Sequence, residues 1–75
     1  MRIEILGGGC ANCIKLYENA KKAVKELGKK AEITKVTDYA EIVSAGVMQT
    51  PALVIDGEIK SEGRVPGAEE IKKML

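Results

Sequence analysis

Cys10 and Cys13 are the only cysteines of a 75-residue chain, and they stand in the run Gly7-Gly8-Gly9-Cys10-Ala11-Asn12-Cys13. Two thiols at this spacing can form and break an internal disulfide reversibly, so thiol chemistry is the first function the residues suggest. A purely structural staple is the weaker reading. A bridge closing so short a loop removes little unfolded-state entropy, because the gain grows with loop length. Metal ligation is the competing chemistry, since two thiolates suit a soft ion such as Cu(I). Structural zinc wants four ligands, and the chain has two cysteines and no histidine. Haem attachment fails because Ile14, not histidine, follows Cys13.

The pair must be held by the elements on either side. Ile3, Ile5 and Leu6 mark a short strand over residues 1–6, and Gly7, Gly8 and Gly9 then release the backbone into a turn. From Ala11 to Leu27 the pattern is helical, with Ile14, Tyr17, Ala20, Val24 and Leu27 at three- and four-residue steps on one expected apolar face. Gly28 supplies the stop. Ala31 to Thr37 is a β-branched run between charges and reads as a moderately exposed strand. Asp38 can cap a short helix through Ala45, with Tyr39, Ile42 and Val43 as its expected buried side and Gly46 as its end.

Ala52 to Ile55 is a continuous apolar run, as in a strand covered on both faces. Asp56-Gly57 is a tight hairpin turn, and Glu58 to Glu62 is the returning strand, only partly alternating. A loop around Pro66 leads to a last helix from Ala68 to Leu75. Glu69 and Glu70 in its first turn and Lys72 and Lys73 in its last match the helix dipole. Ile71, Met74 and Leu75 form its expected apolar stripe. The order is β-α-β-α-β-β-α, expected as one α/β domain over residues 1–75: a four-stranded mixed sheet with helices on both faces. Cys10 then falls at the carboxyl edge of the sheet, where open α/β folds place their sites.

Composition narrows the function classes. Aromatics are 3% of the chain, with no Phe or Trp, so the core must be aliphatic and no base-stacking platform exists. A net charge of +1 with no basic block gives no electrostatic case for nucleic acid. No apolar run approaches a membrane span, and the opening Met-Arg-Ile-Glu-Ile-Leu lacks a signal-peptide core, so a monomeric cytoplasmic protein without membrane or nucleic-acid partners is expected.

The element order, the Cys10-Ala11-Asn12-Cys13 motif at the first strand–helix junction and Thr50-Pro51 before the third strand resemble the thioredoxin fold. More narrowly, the whole chain is similar to the short archaeal and bacterial thioredoxin/glutaredoxin-like proteins called redox-active disulfide proteins. The segment Thr50-Pro51-Ala52-Leu53-Val54-Ile55-Asp56-Gly57 and the downstream Gly63 support this independently of the cysteines. The resemblance implies a cis Thr50–Pro51 bond, with Thr50 backbone groups beside Cys10 for an extended substrate. From the residues alone, Pro51 as the first residue of a strand is an equal reading. The resemblance also implies Cys10 and Cys13 as catalytic residues and Gly9, Ala11, Asn12, Thr50, Pro51 and Gly63 as the substrate-contacting set.

Departures from the family pattern limit what carries over. Gly9 stands where thioredoxins have Trp, and Ala11-Asn12 stand in place of Gly-Pro. The glutathione-binding residues of glutaredoxins have no match here. Glu4 lies six residues before Cys10, where thioredoxins place a buried proton-relaying acid, yet it reads as a solvent-facing strand carboxylate.

At a helix N-terminus Cys10 would meet unpaired N–H groups and the helix dipole, which favour thiolate. Cys13, nearly one turn further and inward, would stay a neutral thiol. Cys10 then attacks a substrate disulfide and Cys13 resolves the mixed disulfide. This expects disulfide-containing protein substrates, a reductase or low-molecular-weight thiol as electron donor, and no bound cofactor. The soft-metal alternative resembles the Gly-Met-x-Cys-x-x-Cys loop of heavy-metal-associated domains, whose order is β-α-β-β-α-β and whose methionine is missing here. Met48 and Gln49, beside Thr50-Pro51, read as part of a recognition patch, with the core an equal reading for Met48.

Overall fold

A computed structural model describes residues 1–9 and 11–75. Seven elements follow in chain order: β1 (Arg2–Leu6), α1 (Ala11–Leu27), β2 (Glu32–Val36), α2 (Tyr39–Ser44), β3 (Ala52–Ile55), β4 (Glu58–Glu62) and α3 (Ala68–Met74). They form a four-stranded mixed sheet in the order β2-β1-β3-β4. β1 pairs parallel with β2 and antiparallel with β3, and β3 pairs antiparallel with β4. The α/β class and element order are those expected from the sequence.

Alternation along β1 separates two cores. Ile3 and Ile5 join Leu53 and Ile55 under α1 and α3, with Leu16, Ala20, Ala23 and Ile71 closing that face. Leu6, Ala52 and Val54 face the other way and are covered by Ile42 and Val47. β3 contributes to both cores and is buried along its length, as its unbroken apolar run requires. The Asp56-Gly57 turn has φ of 50° and 83°, the left-handed pair that a two-residue hairpin needs.

The helix faces of α1 and α2 agree only in part with their expected sides. The buried line of α1 is Cys13, Leu16, Ala20 and Ala23: Ala20 is buried as expected, and the others fall one residue before Ile14, Tyr17 and Val24. Ile14 and Leu27 are exposed, and Tyr17 and Val24 flank the core. The helix packs on the sheet and against α3, and its inner line combines the large Leu16 with the small Cys13, Ala20 and Ala23, while Tyr17 and Val24 sit beside it. In α2, Asp38 caps as expected, accepting from the Ala40 N–H at 2.8 Å, but only Ile42 is buried. Tyr39 and Val43 are 66% and 70% exposed, because a helix of six residues reaches the sheet with one side chain. Val47 completes that contact, carried inward after Gly46 at φ 86°.

Two smaller differences have equally local causes. The β3–β4 register shifts between Leu53 and Val54, so that Leu53 faces Ser61 while Val54 faces Ile59. The extra residue puts Ile59 against the α2-side core and Ser61 on the opposite face, which explains the imperfect alternation of the fourth strand. In α3 Ile71 is fully buried, whereas Met74 and Leu75 only flank the core.

Candidate functional site

The end of β1 builds the site. Gly7 does not yet turn: its N–H donates to Val36 O at 2.9 Å and extends the ladder by one residue. It is glycine for lack of room. A Cβ there would collide with Cys13 Sγ and lie 3.5 Å from Cys13 Cβ and 3.7 Å from Pro51 Cα. The turn itself is made at Gly9, with φ 85°. One backbone position therefore packs against both the second cysteine and the proline, which come from elements far apart in sequence.

Cys13 is 6% exposed, on the inner line of α1. It borders a small cavity of about 40 Å³ whose wall also includes Ile5, Gly7, Gly9, Ile14, Lys35 and Thr37. The Thr50–Pro51 peptide is cis, the isomer the resemblance implies. Pro51 is buried, and its carbonyl accepts from the Gly63 N–H at 3.0 Å. Gly63 has φ 71°, and the Gln49 side chain lies where its Cβ would be. Thr50, two residues before β3, is exposed.

Of the residues singled out from the sequence, Gly9, Cys13, Pro51 and Gly63 are drawn into one neighbourhood by these contacts. Ala11 and Asn12 are exposed on the first turn of α1. The expectations for Cys10, its thiolate and its place at the helix start, lie outside the described residues. Met48 is 88% exposed, so it is surface and not core. Glu4 does not join the site. Ile5 is the β1 residue at the cavity, so alternation puts Glu4 on the other face. Its carboxylate lies 3.9 Å from the Arg2 guanidinium, on a side chain 24% exposed.

Sequence reasoning missed Lys35, Thr37 and Tyr39. Lys35 pairs in register with Ile5 and so shares its face, which only the strand register reveals. Its ammonium sits 4.2 Å from the Tyr17 ring centroid. The Tyr39 hydroxyl lies 3.0 Å from the position a Gly8 Cβ would take, which puts α2 against the glycine loop.

The arrangement sets the buried Cys13 sulfur beside a cis-proline turn whose preceding residue, Thr50, is exposed. Among the described residues no group of three or more His, Cys, Asp or Glu could hold a metal ion. The β-α-β-α-β-β-α order also differs from the β-α-β-β-α-β order that the soft-metal alternative requires. No described helix is long and apolar enough to cross a membrane.

Comparison with known proteins agrees with this geometry. The family model described as "Thioredoxin domain" matches residues 1–75. A protein named thioredoxin from Methanothermobacter thermautotrophicus is 52% identical over 75 residues, covering 100% of this chain and 97% of the relative. A second protein of that name, from Methanocaldococcus jannaschii, is 52% identical over 73 residues, covering 97% of this chain and 84% of the relative. The chain belongs to the thioredoxin family of thiol–disulfide oxidoreductases.

Proposed function

We propose that the chain is a protein disulfide reductase in which Cys10 attacks and Cys13 resolves. The Cys10 thiolate adds to one sulfur of a substrate disulfide, and the other substrate sulfur leaves and takes a proton. Cys13 then gives up its proton and attacks Cys10 sulfur, releasing the second substrate thiol and leaving a Cys10–Cys13 disulfide. Two electrons and two protons pass to the substrate. A reductase or a low-molecular-weight thiol restores the dithiol.

The observation that carries the role assignment is the 6% exposure of Cys13 behind Gly7. A sulfur so enclosed is a poor first nucleophile toward a bulky disulfide but can reach a partner fixed within its own chain. The substrate-contacting set is Gly9, Ala11, Asn12, Thr50, Pro51 and Gly63. An extended substrate segment would lie along Thr50, pairing with its backbone groups as an added strand does.

The test is a pair of variants. Cys10→Ser abolishes turnover of a protein disulfide, whereas Cys13→Ser accumulates a mixed disulfide seen as a covalent adduct by mass spectrometry. A Cys13→Ser protein that turns over normally, with no adduct, overturns the assignment.

A further inference from the structure

Two ammonium groups converge on one aromatic ring beside the site. Lys35 of β2 lies 4.2 Å from the Tyr17 centroid, and Lys21 of α1 lies 5.5 Å from it. Cation–π attraction offsets part of their mutual repulsion. The ion pairs among the described residues engage Arg2, Lys22, Lys60, Arg64 and Lys72, but not Lys21, Lys25 or Lys35.

The positive strip continues away from the ring. Lys21, Lys22 and Lys25 rim an open groove between α1 and β2, whose apolar floor is the half-buried Val24 and Ile33. Glu18 is the single acid on that rim. Glu26, on the same helix, is already held by Lys72 at 2.7 Å and by Lys22 at 3.9 Å. At the other end Lys35 lines the cavity that contains Cys13. The strip thus runs from the redox site outward, on a chain whose overall charge is only +1. It is a local asymmetry and not a reflection of net charge.

We propose that this strip docks an acidic segment of the partner protein, so that disulfides with Asp or Glu close by are the preferred substrates. This rests on the exchange reading above. A carboxylate settling near Lys21 and Lys35 relieves the like-charge repulsion at the ring. Further carboxylates would lie along Lys22 and Lys25, with apolar neighbours on Val24 and Ile33. Charge at an interface rim acts mainly on encounter rate and on salt dependence, which sets the experiment.

Three synthetic peptides carry the same intramolecular disulfide, flanked by Glu, Gln or Lys. Each is reduced by the full-length dithiol protein under stopped flow, and each rate is divided by that with dithiothreitol to remove intrinsic reactivity. The Glu peptide should react about tenfold faster than the Gln peptide at low ionic strength, with the Lys peptide slowest. The difference should collapse near about 0.5 M salt, where the Debye length is only a few ångströms. The double variant Lys21→Gln/Lys25→Gln should lose the preference while reducing the Gln peptide at the wild-type rate. Equal normalised rates for Glu and Gln peptides overturn the docking surface and leave the exchange reading intact. So does a preference that survives the double variant. Failure to reduce any of the three peptides overturns the exchange reading and the docking surface with it.

Discussion

Alanine placed at each of the three consecutive glycines should produce three different outcomes, because each is glycine for a different reason. At Gly7 the added methyl collides with Cys13 Sγ and meets Cys13 Cβ at 3.5 Å, inside a packed interior. Overpacking of this kind costs about 1–3 kcal/mol. The lost glycine entropy of the unfolded chain returns about 0.4–1 kcal/mol, leaving a net loss near ~1–2 kcal/mol. For so small a domain that lowers Tm by roughly 4–16 °C, at ~4–8 °C for each kcal/mol. At Gly8 the nearest atom is the Tyr39 hydroxyl at 3.0 Å, the far end of a side chain 66% exposed that can swing aside. Gly8→Ala should therefore be neutral or slightly stabilising. At Gly9 no atom obstructs the methyl, but φ is 85°, so the cost is backbone strain of about 1–2 kcal/mol.

Stability alone does not separate Gly7 from Gly9, so the second readout is chemical. Gly7→Ala must push the Cys13 sulfur from its place, and misplacing a reacting atom by an ångström can cost about a hundredfold in rate. Closure of the Cys10–Cys13 bridge from a mixed disulfide, followed by stopped flow, should slow at least tenfold in Gly7→Ala and stay near wild type in Gly8→Ala. The reasoning is refuted if Gly7→Ala melts and closes its bridge as Gly8→Ala does.

The exposed face of α2 predicts that Tyr39→Ser and Val43→Ser each change unfolding free energy by less than about 0.5 kcal/mol, while Ile42→Ala costs about 2–4 kcal/mol. Urea denaturation distinguishes the two cases, and comparable losses at all three positions would contradict the packing. Ser61 Oγ is buried with no hydrogen-bond partner among the described residues, so Ser61→Ala should raise stability by about 1 kcal/mol. A loss in the same assay would mean the hydroxyl is satisfied in solution. The Lys72 hydrogen bond, then its charge, holds the Glu26 carboxyl below its ordinary value, and Arg64 does the same for Glu70. A depressed carboxylate stabilises fully above its unfolded pKa and loses that contribution as pH falls through the lower folded value. The double variant Glu26→Gln/Glu70→Gln should thus show a shallower acid limb in a plot of stability against pH, and an unchanged limb would argue against either pair persisting in water. Lys72, raised first by its hydrogen bond to Glu26, carries the opposite sign and loses its share only as pH climbs through its folded value.

Local chemistry made the elements legible, and tertiary packing hid the faces. Asp38 acts through its own side chain on the adjacent backbone, Gly46 and the Asp56-Gly57 turn through their own dihedrals, and the structure uses each as its residue type suggests. The apolar run Ala52 to Ile55 admits only a buried strand, and it is one. By contrast, the inner line of α1 depends on how the helix packs against the sheet and α3, so Leu16 and the small Ala23 are buried while the larger Ile14 and Leu27 that a periodicity reading weights stay exposed. The exposure of Tyr39 and Val43 depends on how little of a six-residue helix reaches the sheet. At the site, the cysteine motif and Thr50-Pro51 were visible as motifs. Gly7 as a spacer and Lys35 as a cavity residue were not, because each acts across a register fixed only by the folded sheet.

The central claim is that this chain cycles between a Cys10/Cys13 dithiol and an internal disulfide. It is tested most directly by equilibrating the protein in thiol buffers of graded potential, trapping thiols by alkylation and counting the labels by mass spectrometry. The account predicts one reversible two-electron transition between doubly labelled and unlabelled protein, with no stable singly labelled state in the absence of substrate. A protein that keeps both thiols across the range, or that oxidises only to intermolecular adducts, would contradict it.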